Sequence, residues 1–187
     1  PRRPCRPEAS AAERAAHDPL TGLLTRDAFL ERGRQTLRQT GRAAGSATVA
    51  VFDIDGLQRV NLRHGHACGD AVLQTLGQRL RGALRQHDIA GRWGGDEFVV
   101  LMRGLPQDNA LPAAERIQTA LHREPVASRD GRVTVGVSGG VYWTADAGAL
   151  DLQGLVQAAD EALYQAKVLY EHGLVLATAA TPSGQCD

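Results

Sequence analysis

The hydrophobic and polar positions of the chain follow two periodicities, which predict different elements. Residues 47–54 are rich in β-branched and apolar side chains and predict a buried strand. Apolar residues at helical spacing predict four helices. These helices begin near Asp27, Val72, Leu111 and Leu152, and the first is expected to end near Gly41.

Two short apolar stretches, Ile89–Trp93 and Phe98–Met102, flank a glycine-rich turn and predict a β-hairpin. Further strands are predicted over Val133–Tyr142 and Leu174–Ala177. A hairpin combined with helical connections indicates an α+β domain. We therefore expect a central, mostly antiparallel, five-stranded sheet flanked by helices.

The predicted turn contains Gly94, Gly95, Asp96 and Glu97. Paired glycines reach backbone angles with φ > 0 and let a bulky anion approach the main chain. Adjacent carboxylates can hold a divalent cation, so the turn suggests a nucleoside triphosphate site. An ordinary exposed hairpin is the alternative, since these residues also form good turns.

A second acidic motif, Asp53-Ile54-Asp55, ends the first predicted strand. Side chains two apart on a strand lie on one face, so Asp53 and Asp55 can frame a cation while Ile54 points away. If the hairpin lies beside this strand, Asp96 or Glu97 completes an all-oxygen site suited to Mg²⁺ or Mn²⁺. The alternative is that both aspartates simply end a strand and begin a turn.

Composition limits the partners and the compartment. The 187 residues carry 21 basic and 21 acidic side chains, so no global field draws the chain to nucleic acid or to a membrane. Three separated cysteines favour a reducing compartment, and we expect a cytoplasmic protein or the cytoplasmic portion of a larger one. No apolar run reaches the length of a membrane span, so we expect no membrane contact by this segment.

The two ends of the chain differ in composition from its centre. Residues 1–17 are expected to form a linker, with a short helix from Ser10 to Ala16, that connects to an upstream sensory or regulatory domain. Residues 178–187 are small and polar and predict a flexible tail. The folded domain is therefore expected over residues 18–177.

Five separated motifs carry a family resemblance. They are Asp18-Pro19-Leu20-Thr21-Gly22-Leu23; Phe52-Asp53-Ile54-Asp55 with Asn61, Gly65-His66 and Gly69-Asp70; Arg85-Gln86-His87-Asp88; Gly94-Gly95-Asp96-Glu97-Phe98; and Ala162-Leu163-Tyr164 with Ala166-Lys167. In this order they resemble the GGDEF family, the diguanylate cyclases. The resemblance implies the fold shared by nucleotide cyclases and polymerase palm domains.

The resemblance also implies an activity, namely the condensation of two GTP into cyclic di-GMP by a homodimer. It makes Asp53, the main-chain carbonyl of Ile54, and Asp96 ligands of Mg²⁺ or Mn²⁺, and it makes Asp96 or Glu97 the proton acceptor. It further implies that Gly94 and Gly95 present N–H groups to the phosphates and that Lys167, the chain's single lysine, binds the triphosphate. A solvated lysine on a helix face is the alternative for Lys167.

The resemblance assigns Asn61 and Asp70 to the guanine and places His66 close to the nucleotide. A carboxylate and an amide together can distinguish guanine from adenine. Two alternatives remain open for the predicted loop of residues 56–70. Asp70 is a helix N-cap in one, and His64, His66 and Cys68 bind zinc in the other, although no fourth ligand is evident.

Arg85 and Asp88 match the family's product-inhibition site, which Arg116 joins in some members. A surface ion pair between Arg85 and Asp88 is the alternative explanation.

Three departures from the family pattern bear on activity: Gln58 replaces a lysine, Leu62 an aspartate, and Glu171 a basic residue. An anion near a triphosphate weakens its binding, so reduced activity is expected and Glu171→Arg should raise GTP turnover. The alternatives are a cyclic di-GMP receptor, a GTP-binding regulatory module, or a dimerisation element.

Overall fold

The computed structural model describes residues 15–39, 45–128, 131–148, 151–170 and 172–178. Its helices are α1 (Arg26–Gln39), α2 (Leu57–His64), α3 (His66–Ala83), α4 (Gln107–His122) and α5 (Leu152–Leu169). Its strands are β1 (Ala47–Asp55), β2 (Ile89–Arg92), β3 (Glu97–Arg103), β4 (Val126–Ser128), β5 (Gly131–Val133), β6 (Gly136–Thr144) and β7 (Leu174–Thr178). None of these helices is both long and apolar enough to cross a membrane.

The main sheet has five strands in the order β2-β3-β1-β6-β7. Only the β6–β7 pair is parallel, and the other three pairs are antiparallel. The predicted α+β fold with a mostly antiparallel five-stranded sheet is therefore confirmed. Strand β1 lies at the centre, and eight of its nine residues are buried.

The alternation of side chains along β1 divides the core into two layers. Phe52 and Ile54 belong to the layer that includes residues of α2, α3 and α4. Val49 and Val51 belong to the layer that includes residues of α1 and α5. By the same alternation, Asp53 faces the α5 side at the end of the strand.

The predicted strand over Val133–Tyr142 is two strands in the structure. Val133 ends β5, which pairs only with β4, and β6 begins at Gly136 and continues to Thr144. Both segments are rich in valine, so composition alone does not reveal the break. The β4–β5 pair forms a separate two-stranded sheet outside the main sheet.

The predicted loop over residues 56–70 is wrong, because this segment forms α2 and the start of α3. Leu57 and Val60 are buried three residues apart, as a helix requires. Gly56 and Gly65 have φ angles of 73° and 79°, which favour glycine, and they separate the helices from their neighbours. Gly65 is the N-cap of α3, so the interpretation of Asp70 as a cap is also wrong.

Several expectations fall partly or wholly on residues that the structure does not describe. The predicted N-terminal helix lies almost wholly before residue 15, and Glu171 and most of the predicted C-terminal tail also lie outside the described residues. Thr178, placed in the tail by the sequence, is the last residue of β7. The limits of the domain stay a prediction.

Candidate active site

Acidic residues of β1 and the hairpin meet at one edge of the sheet. Asp53 pairs with Glu97 in the antiparallel register of β1 and β3. Directly opposite residues in such a pair have Cβ atoms about 4.5–5.5 Å apart. The main-chain N–H of Ile54 also donates a 3.1 Å hydrogen bond to the carbonyl of Asp96. The hairpin thus lies beside β1, as the sequence-based hypothesis required.

Lys167 of α5 reaches this edge and forms an ion pair with Asp53, with Nζ 2.8 Å from Oδ1. Both side chains line a cavity of about 500 Å³ together with Asp96 and the uncharged Gln58. The structure therefore places the lysine beside the acidic residues rather than on an isolated face of the helix.

Burial and mutual repulsion alter the acidity of two of these carboxyl groups. Burial raises the pKa of Asp53, and the charges of Asp96 and Asp55 add to this increase, against the lowering effect of Lys167. Burial likewise raises the pKa of Glu97, with further contributions from Asp160, Asp53 and Asp96. Burial and the neighbouring acids therefore disfavour the ionised forms of Asp53 and Glu97 more than Lys167 favours them.

The donor set fits a hard divalent cation but is not a complete protein cage. Within the described residues, no group of three or more His, Cys, Asp or Glu side chains is placed to hold a metal ion. Mg²⁺ usually binds one or two carboxylates together with substrate phosphates and water, which Asp53 and Asp96 can satisfy. The zinc alternative is not supported, because Cys68 is buried and forms no such group with His64 and His66.

Asp55 belongs to a polar cluster that sequence analysis did not identify. Its carboxylate accepts a 3.0 Å hydrogen bond from Ser138 Oγ, and its Oδ2 lies 2.5 Å from Nδ1 of His172. His172 has a φ of 55°, and a Cβ at Gly136 would collide with its ring. No local motif marks His172, because its place depends on the path of the chain after α5.

The residues expected to read guanine lie at the junction of α2 and α3. Asn61 packs so closely on Gly69 that a Cβ there would lie 1.9 Å from Asn61 Oδ1. That oxygen is buried and accepts no hydrogen bond. Asp70, next to Gly69, is exposed, as is His66 at the start of α3. The structure thus brings Asn61 and Asp70 to one junction.

The tip of the hairpin departs from the sequence-based expectation. Neither Gly94 nor Gly95 has a positive φ, so that reason for the glycines is wrong. Gly94 instead avoids Glu97, because a Cβ there would lie 2.9 Å from Glu97 Oε2. A Cβ at Gly95 would meet nothing within 4 Å, which leaves space for a ligand to approach.

Comparison with known proteins identifies the family. The family model described as diguanylate cyclase, GGDEF domain, matches residues 15–170. The chain belongs to the GGDEF family.

The GGDEF domain is 37% identical over 155 residues to diguanylate cyclase DgcP of Pseudomonas aeruginosa, covering 83% of this chain and 23% of that protein. It is 33% identical over 153 residues to DgcS of Shewanella oneidensis, covering 82% of this chain and 50% of that protein. The crystal structure of diguanylate cyclase SiaD in complex with its activator SiaC from P. aeruginosa matches with a TM-score of 0.80 and 34% identity, covering 89% of this chain and 64% of that one. The chain thus spans at most half of the two curated relatives.

The GGDEF hairpin is fixed from its outer side by an ion pair. Arg92 Nη1 lies 3.1 Å from Asp18 Oδ1, and the same guanidinium donates hydrogen bonds to the carbonyls of Gly94 and Gly95. Asp18 also accepts hydrogen bonds from the N–H and the hydroxyl of Thr21, both at 2.7 Å. The first motif of the GGDEF domain therefore holds the hairpin in place.

The residues of the expected product-inhibition site cluster at the turn between α3 and β2. Asp88 accepts a 2.9 Å hydrogen bond from the N–H of Arg85, so these residues form a turn rather than a side-chain ion pair. Arg116 of α4 donates to the carbonyl of Ala83, two residues before Arg85. The structure brings the three residues together, and both arginines are exposed.

The departures from the GGDEF pattern have different surroundings. Gln58 lines the cavity beside Lys167, whereas Leu62 is 82% exposed. Glu171 is not among the described residues.

Proposed function

We propose that this GGDEF domain condenses two GTP molecules into cyclic di-GMP and releases two pyrophosphates. One observation carries the proposal: carboxylates of β1 and the GGDEF hairpin meet Lys167 at one cavity. Membership of the family supports cyclic di-GMP synthesis, and the curated relatives are named diguanylate cyclases.

We assign Asp53, the main-chain carbonyl of Ile54, and Asp96 to a divalent cation, Mg²⁺ or Mn²⁺. When bound, such a cation would neutralise phosphate charge and lower the pKa of the attacking hydroxyl. Burial is the main cause of the raised pKa values of Asp53 and Glu97, and repulsion from neighbouring acids adds to it; a bound cation would stabilise the ionised forms of both groups. Glu97 or Asp96 accepts the proton of the hydroxyl group.

Lys167 and residues outside the cavity, at the α2–α3 junction and the hairpin tip, bind and orient the nucleotide. Asn61 and Asp70 read the guanine, with His66 close by, and the buried Asn61 Oδ1 has no hydrogen-bond partner in the structure. Gly94 and Gly95 present main-chain N–H groups to the phosphates, and Lys167 exchanges part of its contact with Asp53 for a phosphate oxygen. Specificity for guanine follows because adenine leaves the carboxylate and amide without matched partners.

Catalysis requires two domains that face each other across a two-fold axis. Each domain holds one GTP, and each 3′-hydroxyl oxygen attacks the α-phosphorus of the other nucleotide. The bond from that phosphorus to the bridging oxygen breaks, pyrophosphate leaves with the bond electrons, and an acidic side chain takes the hydroxyl proton. Orientation of the two reactants by the dimer supplies much of the rate enhancement.

Regulation and activity level are also part of the proposal. Cyclic di-GMP binds at Arg85, Asp88 and Arg116 and inhibits the enzyme, while an upstream sensory or regulatory domain controls dimer formation. We expect activity below that of a domain with lysine at position 58, because Gln58 adds no positive charge to the cavity. The same observation favours a second candidate, a cyclic di-GMP receptor with little turnover.

Incubation of the chain with GTP and Mg²⁺, followed by chromatography of the nucleotides, tests the proposal. Cyclic di-GMP should form, its initial rate should rise more steeply than linearly with protein concentration, and EDTA should abolish it. Absence of product at concentrations where the chain is dimeric would reject the enzyme. Tight binding of cyclic di-GMP in that same sample, lost in Arg85→Ala, would establish the receptor instead.

A further inference from the structure

A cavity of about 580 Å³ next to the candidate active site is lined by basic side chains. Its basic residues are Arg59, Arg63, His64, Arg132 and His172, which together we call the arginine cavity. Arg59 and Arg63 lie four residues apart on α2 and share one face of the helix. Arg132 lies on β5, so the α2–β1 region and the small second sheet both contribute charge.

The positive charge of the arginine cavity is not neutralised by the protein. Asp55 is the one acidic residue that lines it, and its carboxylate is already engaged by Ser138 and His172. Within the described part of the chain, none of the three arginines forms an ion pair. Guanidinium groups that converge on one cavity create a local positive potential that attracts anions.

The arginine cavity is continuous with the candidate active site. Asp55, Gly56, Arg59 and His172 line both it and the cavity that contains Asp53, Asp96 and Lys167. The guanidinium of Arg59 lies against the first turn of α2, where a Cβ at Gly56 would be 2.8 Å from its Nη2. Arg59 therefore stands at the boundary between the two cavities.

We propose that the arginine cavity binds a pyrophosphate group, with Arg59 as its first contact on the side of the active site. This inference rests on the proposed function, in which the β- and γ-phosphates of GTP become free pyrophosphate. Guanidinium groups bind phosphate oxygens in a bidentate manner, and three of them suit a ligand with several negative charges. Arg59 thereby places a positive charge next to the uncharged Gln58.

Isothermal titration calorimetry with sodium pyrophosphate tests the site without requiring turnover. The variants are Arg63→Gln, Arg132→Gln and the double substitution, all of exposed side chains that line only the arginine cavity. Arg32→Gln on α1 is the matched control, because it removes the same charge from an exposed position elsewhere. Circular dichroism and thermal unfolding verify that each variant is folded.

The wild-type chain and Arg32→Gln should bind pyrophosphate equally well. Each single substitution should weaken binding about tenfold, and the double substitution about a hundredfold, if each lost contact contributes about 1.4 kcal/mol. Equal affinity in the double variant and the wild type would overturn the proposal. An equal loss in Arg32→Gln would overturn it too, because it would show that only net charge matters.

Affinities for GTP and GMP in the same variants distinguish the two sources of the group. If the site holds the terminal phosphates of bound GTP, the double variant loses affinity for GTP but not for GMP. If it holds only released pyrophosphate, GTP affinity is unchanged while pyrophosphate affinity falls. Pyrophosphate binding that depends on the arginines in a chain that makes no cyclic di-GMP would reject the proposed enzyme and uphold this site.

Discussion

Two aspartates contact opposite sides of the GGDEF hairpin, and their environments differ in almost every respect. Asp18 accepts hydrogen bonds from the N–H and hydroxyl of Thr21 and from Arg92. Burial would raise its pKa, but these contacts outweigh burial and lower it. Asp53 is buried, and burial raises its pKa; the charges of Asp96 and Asp55 add to this increase, which the ion pair with Lys167 does not offset.

The ionised carboxylate of Asp18 therefore stabilises the fold, whereas the ionised carboxylate of Asp53 costs stability. A charge whose hydrogen bonds are satisfied contributes to stability, whereas an under-compensated charge costs stability and is common where a ligand completes the site. Asp18 holds the hairpin, whereas Asp53 is the residue proposed to present its charge to a bound cation. Substitutions at the two positions should therefore have opposite effects on stability and activity.

The largest effect is expected for Asp53→Asn. Loss of a proposed metal ligand should reduce cyclic di-GMP formation by on the order of 10³-fold, as for other groups that stabilise charge in a transition state. The melting temperature should not fall, because the substitution removes a charge whose burial costs stability, as the raised pKa of Asp53 shows. Turnover measured with GTP and Mg²⁺, together with thermal unfolding, checks both parts.

Glu115→Gln is the control for Asp53→Asn, since Glu115 is an exposed acid on α4. It should change neither turnover nor melting temperature. Near-normal turnover in Asp53→Asn would show that Asp53 is not part of the active site. A large drop in melting temperature would show that Asp53 stabilises the fold, as Asp18 does.

Asp18→Asn should have the opposite profile. It weakens the contacts to Arg92 and Thr21 and should lower the free energy of unfolding by about 1–3 kcal/mol. For a domain of this size, a loss of 2 kcal/mol lowers the melting temperature by about 4–8 °C. Activity should fall less than in Asp53→Asn, because the hairpin keeps its pairing with β1.

A double-mutant cycle of Asp18→Asn with Arg92→Gln measures the coupling between the two side chains. The double variant should be little less stable than Arg92→Gln alone. Additive losses in unfolding free energy would show that Asp18 and Arg92 stabilise the domain independently of each other.

The sequence predicts the parts of this comparison that depend on local pattern. The run of residues 47–54 predicts β1, and the hairpin follows from two apolar stretches around glycines. Alternation along β1 then places Asp53 and Asp55 on one face and Ile54 on the other. Those steps were sufficient to predict that acids of two strands converge.

Contacts between distant segments were not predictable in this way. The pairs Asp53–Lys167 and Asp55–His172 join residues more than a hundred positions apart, and their geometry depends on how α5 packs on the sheet. The spacing of Arg59 and Arg63 was visible as an i, i+4 pair. The sequence does not show that these two arginines share a face, because residues 56–70 are predicted to form a loop. Only a helix places residues four positions apart on one face.

Alanine substitutions of the two glycines at the hairpin tip test the active-site side of the hairpin. Gly94→Ala should lower turnover about tenfold, because the added Cβ displaces the carboxylate of Glu97, and tenfold corresponds to about 1.4 kcal/mol. Gly95→Ala has open space around its Cβ and should raise KM for GTP rather than lower kcat. Both variants should keep the wild-type unfolding free energy within about 0.5 kcal/mol.

Steady-state kinetics and thermal unfolding of both variants give the measurement. Equal losses of kcat in the two variants would show that contact between position 94 and Glu97 is not the cause of the lower turnover.

A small effect on stability is expected for Glu97→Gln, and the pH dependence of that effect tests the contrast with Asp18. The raised pKa of Glu97 means that its ionised form costs stability, so Glu97→Gln should be more stable than the wild type at pH 8. The gain should be below about 1 kcal/mol, because water screens this partly exposed side chain.

As pH falls through the raised pKa of Glu97 toward its ordinary value of 4.5, the wild type loses that cost and the advantage of the variant should disappear. Asp18 behaves in the opposite sense, because its lowered pKa gives the wild type an advantage over Asp18→Asn above the ordinary value of 3.8. That advantage is lost only as pH falls further, through the lowered pKa. Thermal unfolding of the three proteins between pH 8 and pH 3 measures both differences. If Glu97→Gln were less stable than the wild type at pH 8, the ionised Glu97 would stabilise the fold as Asp18 does. The proposed difference between the two sides of the hairpin would then be wrong.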